Sequence, residues 1–248
     1  MTIDNLPLYS LLFGGLGAFL LGVGKAGIKG IAVFIVVLFV YAFGARASTG
    51  IIMPLLLVGD VFAIVYYRQH TDWKQVFRIL PWILLGVVVA TYTGAYLDEA
   101  TFTLVMASLI VFATLLMGYW EFKPLTSVPS HWGFAGFLGI LAGFTTMIGN
   151  LAGAVVNIYF LALRFPKNTF IGTTAFVFFF VNLFKVPFHV LVWKTIQWES
   201  LQISLLFVPF ECLGLYLGLR WVKRMGDHNY RRLILVLTTI GAIVLFFR

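Results

Sequence analysis

The sequence predicts an all-α, polytopic membrane protein, and three observations carry that prediction. Of the 248 residues, 61% are hydrophobic and only 10% are charged, whereas a soluble domain carries about 25% charge. Apolar stretches of roughly 20 residues, the length a helix needs to cross a bilayer, recur along nearly the whole chain. The period-2 alternation of a transmembrane β-barrel is absent. A soluble role is excluded.

Ten helical segments are predicted. The first, Leu8–Val23, is an apolar run ending in the stretch "GVGKAGIKG" at 22–30. No basic region precedes it in "MTIDNLPLYS" and no small-residue cleavage site follows, so it is expected to stay in the membrane. The second, Ile28–Phe43, is short. The third, Ser48–Tyr67, holds Asp60 about twelve residues from its start and ends at basic, polar "RQHTDWK". The fourth, Val76–Leu97, and the fifth, Thr101–Trp120, are separated by Asp98 and Glu99. The linker "EFKPLTSVPS" at 121–130 carries Pro124 and Pro129 and reads as an irregular connection. Beyond it follow Trp132–Ile148, the short Leu151–Leu163, Thr169–Trp193 with Pro187 inside, Leu201–Val222 and Leu233–Phe247.

The linker divides the chain into a first five-helix repeat, 1–120, and a second, 131–248. An odd number of helices per half makes the second half enter from the opposite side, the geometry of an inverted repeat. A shift of 122 places Gly27 on Gly149, Gly50 on Gly172, Asp60 on Asn182 and Phe62 on Phe184. With Lys25, Lys29 and Lys185 set aside as intramembrane, eleven Lys and Arg fall on one side and three (Arg46, Lys194, Arg248) on the other. The richer side is expected in the cytoplasm, with both termini outside. This topology, in a bacterial inner (cytoplasmic) membrane, accounts for the net charge of +8 without nucleic acid. The single Cys212 excludes an intrachain disulfide and a multi-cysteine metal site. No cofactor is expected, and homo-oligomerisation is left open.

The second and seventh segments have 16 and 13 residues, too few to cross a core of about 30 Å at 1.5 Å per residue. They occupy matching places, each after a glycine-rich junction: "GVGKAGIKG" and "GFTTMIGNLAG" at 143–153. Such pairs point to a midplane binding site. The first junction is expected to be a hairpin tip in the membrane rather than a loop outside it. A lysine at mid-bilayer costs about 2.5–3.5 kcal/mol, so Lys25 and Lys29 call for water, a partner or an anionic ligand. If the hinge continues into the second helix they share a face, and Gly24 and Gly27 let backbone N–H groups approach the same ligand. Facing them, Thr145, Thr146 and Asn150 beside Gly149 suit a small oxyanion, or equally serve as glue between helices. Asp60, near mid-bilayer, is a candidate for a coupling proton or a lysine partner. Asn182 and Lys185 share a face beside the kink expected at Pro187; pairing of Lys185 with Asp60 and with substrate both remain open. His189 is a weaker proton candidate, and Glu211 is buried by register without a repeat partner. No Walker A, G-x-S-x-G or HExxH arrangement occurs, so no enzyme is expected.

The stretches "GVGKAGIKGIAV", "FGARASTGIIMPLLLVGDVFAIVYYRQHTDWKQVFRILPWILLG" (43–86) and "IGTTAFVFFFVNLFKVPFHV" (171–190) carry a resemblance to the sulfite exporter TauE/SafE family of membrane transporters, running from Gly14 to Phe247. The resemblance implies two inverted repeats and transport of sulfite, sulfonates or related organic anions, and it highlights Lys25, Gly27, Asp60, Asn182, Lys185 and Pro187. The expectation is a proton-coupled secondary transporter of a small anion, working by alternating access around a site between the repeats. A passive anion channel and a non-transport membrane assembly protein are the alternatives.

Overall fold

The computed structural model describes residues 5–28, 31–122, 132–163, 165–226 and 229. Nine α-helices lie among them, and no strand. They are α1 (Leu8–Lys25), α2 (Ala32–Phe43), α3 (Ala45–Tyr67), α4 (Trp73–Ala95), α5 (Glu99–Phe122), α6 (Trp132–Gly149), α7 (Ala152–Ala162), α8 (Lys167–Pro187) and α9 (Trp198–Arg224). The expected tenth segment, Leu233–Phe247, and most of the expected linker lie outside the described residues. Glu121 and Phe122, assigned to that linker, instead finish α5.

The ends follow local chemistry. The Asp72 carboxylate accepts from the Gln75 N–H at 3.2 Å and starts α4 three residues ahead of the expected Val76. Gln197 and Ser200 form a capping box that starts α9. Past Pro187 the chain continues as a wider π turn, Phe188–Val192, because proline removes an in-register donor and crowds the preceding turn.

Five helices, α1, α3, α4, α8 and α9, are each long and apolar enough to cross a bilayer. By contrast α2 and α7, with 12 and 11 residues, reach only about 17–18 Å at 1.5 Å per residue. Each folds back on the helix before it, α2 on α1 and α7 on α6, as a helical hairpin.

Lipid tails give helices no hydrophobic reason to associate, so close packing of small residues has to hold them together. Two crossings use the same device. Between α1 and α9, Gly22 sits on the Glu211 and Leu215 backbone and Gly214 on the Phe19 carbonyl. Between α4 and α6, Gly86 sits on the Ile140 carbonyl and Gly143 on the Ile83 carbonyl. In all four places a Cβ would collide with backbone, so the helices cross at main-chain distance. A third crossing, α3 on α8, is reciprocal: Gly50 near the start of α3 meets the Thr195 carbonyl beyond α8, and Gly172 near the start of α8 meets the Tyr67 carbonyl at the end of α3. Large apolar side chains such as Leu12, Val65, Leu104, Leu205 and Leu213 point outward, as lipid contact requires.

Basic residues gather at one end. Lys167 at the start of α8 donates to the Val222 carbonyl at the end of α9 (3.1 Å), and Lys223 lies 5.2 Å from the Tyr66 ring centre near the end of α3. At the opposite end Arg46 pairs with Glu99 (3.3 Å) and donates to the Leu97 carbonyl (2.6 Å).

Candidate functional site

The two hairpins place their tips at a common cavity. Helix α1 ends in a Schellman motif: Ile28 N–H bonds to the Val23 carbonyl (3.3 Å), Gly27 N–H to the Gly24 carbonyl (3.2 Å), and Gly27 has φ +129°. A side chain there would be strained and would also meet Ile171. The Tyr67 hydroxyl pins the turn by donating to the Ala26 carbonyl at 2.9 Å. Helix α6 ends in the simpler left-handed form, with Asn150 at φ 54° and its N–H on the Thr146 carbonyl at 3.0 Å. That conformation frees the Asn150 side chain from the helix and turns it toward α8.

Between the tips lies a cavity of about 90 Å³, room for a few waters or one small ion. Leu21, Ile28, Ile35, Val36, Ile52, Leu56 and Phe178 form its apolar wall, and Lys25, Thr146, Asn150, Asn157 and Asn182 its polar one. Ala32, at the start of α2, and Ala152 and Gly153, at the start of α7, also border it. Residue Ile31 offers α2 no capping side chain, so first-turn N–H groups and the positive end of the helix dipole face this region.

Two buried polar constellations flank the cavity. In the first, Lys25 at the end of α1 forms an ion pair with Asp60 of α3, and Asn182 of α8 donates to the other Asp60 oxygen at 2.6 Å. Asp60 is fully buried, Lys25 is 8% exposed, and the Lys25 ammonium stands 5.7 Å from the Phe178 ring centre. In the second, Lys185 of α8, fully buried, donates to Asn150 Oδ1 at 2.6 Å and lies 3.4 Å from Thr146 Oγ1. Among the described residues the ion pairs are Lys25–Asp60 and Arg46–Glu99; the hydrogen-bond partners of Lys185 are neutral oxygens.

Several sequence expectations are refined by these positions. Lys25 belongs to the end of α1, where a cation suits the helix dipole, and not to the start of the following helix. The chain turns at Gly27 before α2 begins, so no helical face shared with Lys29 arises from a continuous hinge; Lys29 itself lies outside the described residues. Of the rival pairings for Asp60, Lys25 holds it and Lys185 does not. Gly24, Thr146, Asn150 and Asn182 border the cavity. Thr145 instead bonds back to the Ala142 carbonyl at 3.1 Å, and Gly149 packs under Leu151. His189 is buried, 2.8 Å from Thr195 Oγ1 and edge-on to Trp193, where it fastens the turn after α8.

Asn157 was missed. It projects from α7 to the cavity, and its Oδ1 has no hydrogen-bond partner among the described residues. A lone amide in the apolar run "AVVNIYF" was the available signal. Glu211 gains weight: it is fully buried on α9, and neither carboxyl oxygen is hydrogen-bonded among the described residues.

A model of the family described as sulfite exporter TauE/SafE matches residues 10–245 of the chain. No curated protein and no solved structure gives a match.

Proposed function

The chain belongs to the sulfite exporter TauE/SafE family, a family of membrane transporters of sulfur anions, and from that premise we propose that it is a secondary transporter whose anion binds between the two hairpin tips. The observation that carries this reading is the inequality of the two lysines. Asp60 balances the Lys25 charge, while Lys185 meets only neutral partners at the cavity wall. Lys185 does not border the cavity itself; it stands behind Asn150 and Thr146, which do, and a positive charge so close to a low-dielectric, partly polar cavity favours one small anion in it. The first-turn N–H groups at the starts of α2 and α7, whose first residues Ala32 and Ala152 border the cavity, are donors of the kind that suits an oxyanion.

Alternating access is the proposed working cycle, with 1–120 and 131–248 as two inverted halves. Support comes from the packing: α1 on α9 answers α6 on α4, each through paired glycines, and α3 meets α8 reciprocally through Gly50 and Gly172. Asp60 and Asn182, 122 positions apart, bond to each other, as residues do when they lie near a pseudo-two-fold axis. We assign the basic end (Arg68, Lys74, Arg78, Lys167, Arg220, Lys223, Arg224) to the cytoplasm, in keeping with the reading of an inner-membrane protein whose termini lie outside. The cavity is assigned no catalytic role.

The test is binding followed by flux. Thermal shift with sulfite, sulfate, thiosulfate, sulfoacetate, taurine and simple carboxylates should give a stabilising sulfur anion, and proteoliposomes should show counterflow of that anion. Flux without counterflow and indifferent to an imposed pH gradient would identify a passive channel instead.

A further inference from the structure

We propose that Glu211 carries the coupling proton, so that one proton binds with each anion; this rests on the anion-transport reading above. The carboxyl is fully buried and both of its oxygens lack a hydrogen-bond partner among the described residues. The Gly59 amide lies near it, outside hydrogen-bonding geometry. A Cβ placed on Gly59 would come 2.6 Å from Glu211 Oε1 and also strike the Lys25 Cγ. Gly59 thus leaves the space in which the carboxyl lies beside the lysine stem.

The charged groups facing Glu211 are Lys25 from α1 and Asp60 from α3, the two helices packed on α9; its own neighbour Cys212 is exposed. Asp60, the candidate the sequence offered for coupling, has both oxygens engaged, one by Lys25 and one by Asn182. Glu211 has neither engaged. A buried carboxylate without donors is strongly disfavoured, so a carboxyl in this geometry is suited to binding a proton and to losing it when water arrives.

The charge count then links proton to anion. With Glu211, Lys25 and Lys185 protonated and Asp60 ionised, the four groups sum to one positive charge, which a monoanion neutralises. Loss of the proton to water sets a second negative charge beside Lys25, cancels that surplus and weakens the hold on the anion. By linkage the bound anion favours the protonated carboxyl to the same extent.

Ethanesulfonate is a suitable probe, because, as the anion of a strong acid, it keeps its charge from about pH 5.5 to about pH 10 and so across the titration of a buried carboxyl. Above the Glu211 midpoint, wild-type affinity should fall about tenfold per pH unit, the slope of one linked proton. Glu211→Gln and Glu211→Leu, which fix the neutral state, should bind across the range without a slope. In proteoliposomes they should exchange the anion but no longer accumulate it under a pH gradient. A wild-type slope surviving in either variant, or a pH-independent wild type that still binds, overturns the Glu211 assignment alone. A wild type that does not bind ethanesulfonate at any pH overturns the anion reading beneath it.

Discussion

The two hairpin tips occupy matching places in the halves of the chain, yet they solve the problem of a buried lysine in opposite ways. Lys25 ends α1 and is tied to a carboxylate, whose second oxygen is held by an amide from the other half. Lys185 is tied to an amide and a hydroxyl at the second tip. An ion pair commits a cation to the protein, whereas neutral acceptors orient it without cancelling its charge. On the proposed function, the first tip is architecture and the second is the place where an anion is felt.

The contrast is sharpest in substitutions that separate stability from binding. Asp60→Ala leaves the buried Lys25 ammonium without its ion-pair partner and should destabilise the fold by about 3–5 kcal/mol, the usual cost of breaking one side of a buried pair; thermal unfolding in detergent reads this. Lys185→Met abandons no carboxylate. It should leave the melting temperature close to wild type while anion affinity falls roughly 10- to 150-fold, the loss of charge-assisted hydrogen bonds worth about 1.5–3 kcal/mol. If instead Lys185→Met unfolds the protein and Asp60→Ala merely weakens binding, the roles of the two tips are reversed.

Matched substitutions at the glycine crossings test whether the halves are equivalent as scaffolds. Gly22→Ala and Gly143→Ala each drive a methyl group into backbone of the facing helix, and each should cost about 1–3 kcal/mol, the range for overpacking. Equal losses fit mirrored crossings; a loss confined to one would separate the halves. The smallest effect is expected at Asn157. The residue borders the cavity and its Oδ1 has no partner among the described residues, and Asn157→Leu should change anion affinity by about one order of magnitude or less, the scale of one neutral hydrogen bond, with stability unchanged or raised.

Legibility from sequence followed the range of the interaction involved. Helix existence was readable because apolar length is a local property, and the short α2 and α7 stood out for the same reason. The exact ends were less so: Asp72 and Gln197 start α4 and α9 ahead of the expected residues, since a cap reaches outside the apolar run that signals the helix. Lys25, Asp60, Asn182 and Lys185 were conspicuous as polar side chains in oily segments, so the components of the candidate site could be named. Their pairing could not. Lys25 and Asp60 are 35 positions apart and Asp60 and Asn182 are 122 apart, and periodicity within one helix says nothing about which helix lies opposite. Thr145 and Thr146 show the same limit at one-residue resolution: adjacent hydroxyls, of which one bonds into its own helix and the other borders the cavity.

The sequence by itself determined the solvent this protein folds in, the helices that cross it and the small set of polar groups costly enough to demand a purpose. Those are consequences of transfer free energy, summed residue by residue along a chain. The tertiary structure alone decided which lysine found a carboxylate, which was held by neutral oxygens, and that Glu211 came to rest beside Lys25 without a hydrogen-bond partner among the described residues. Such choices depend on where glycines let distant backbones touch, and the geometry of a crossing exists only once both helices are in place.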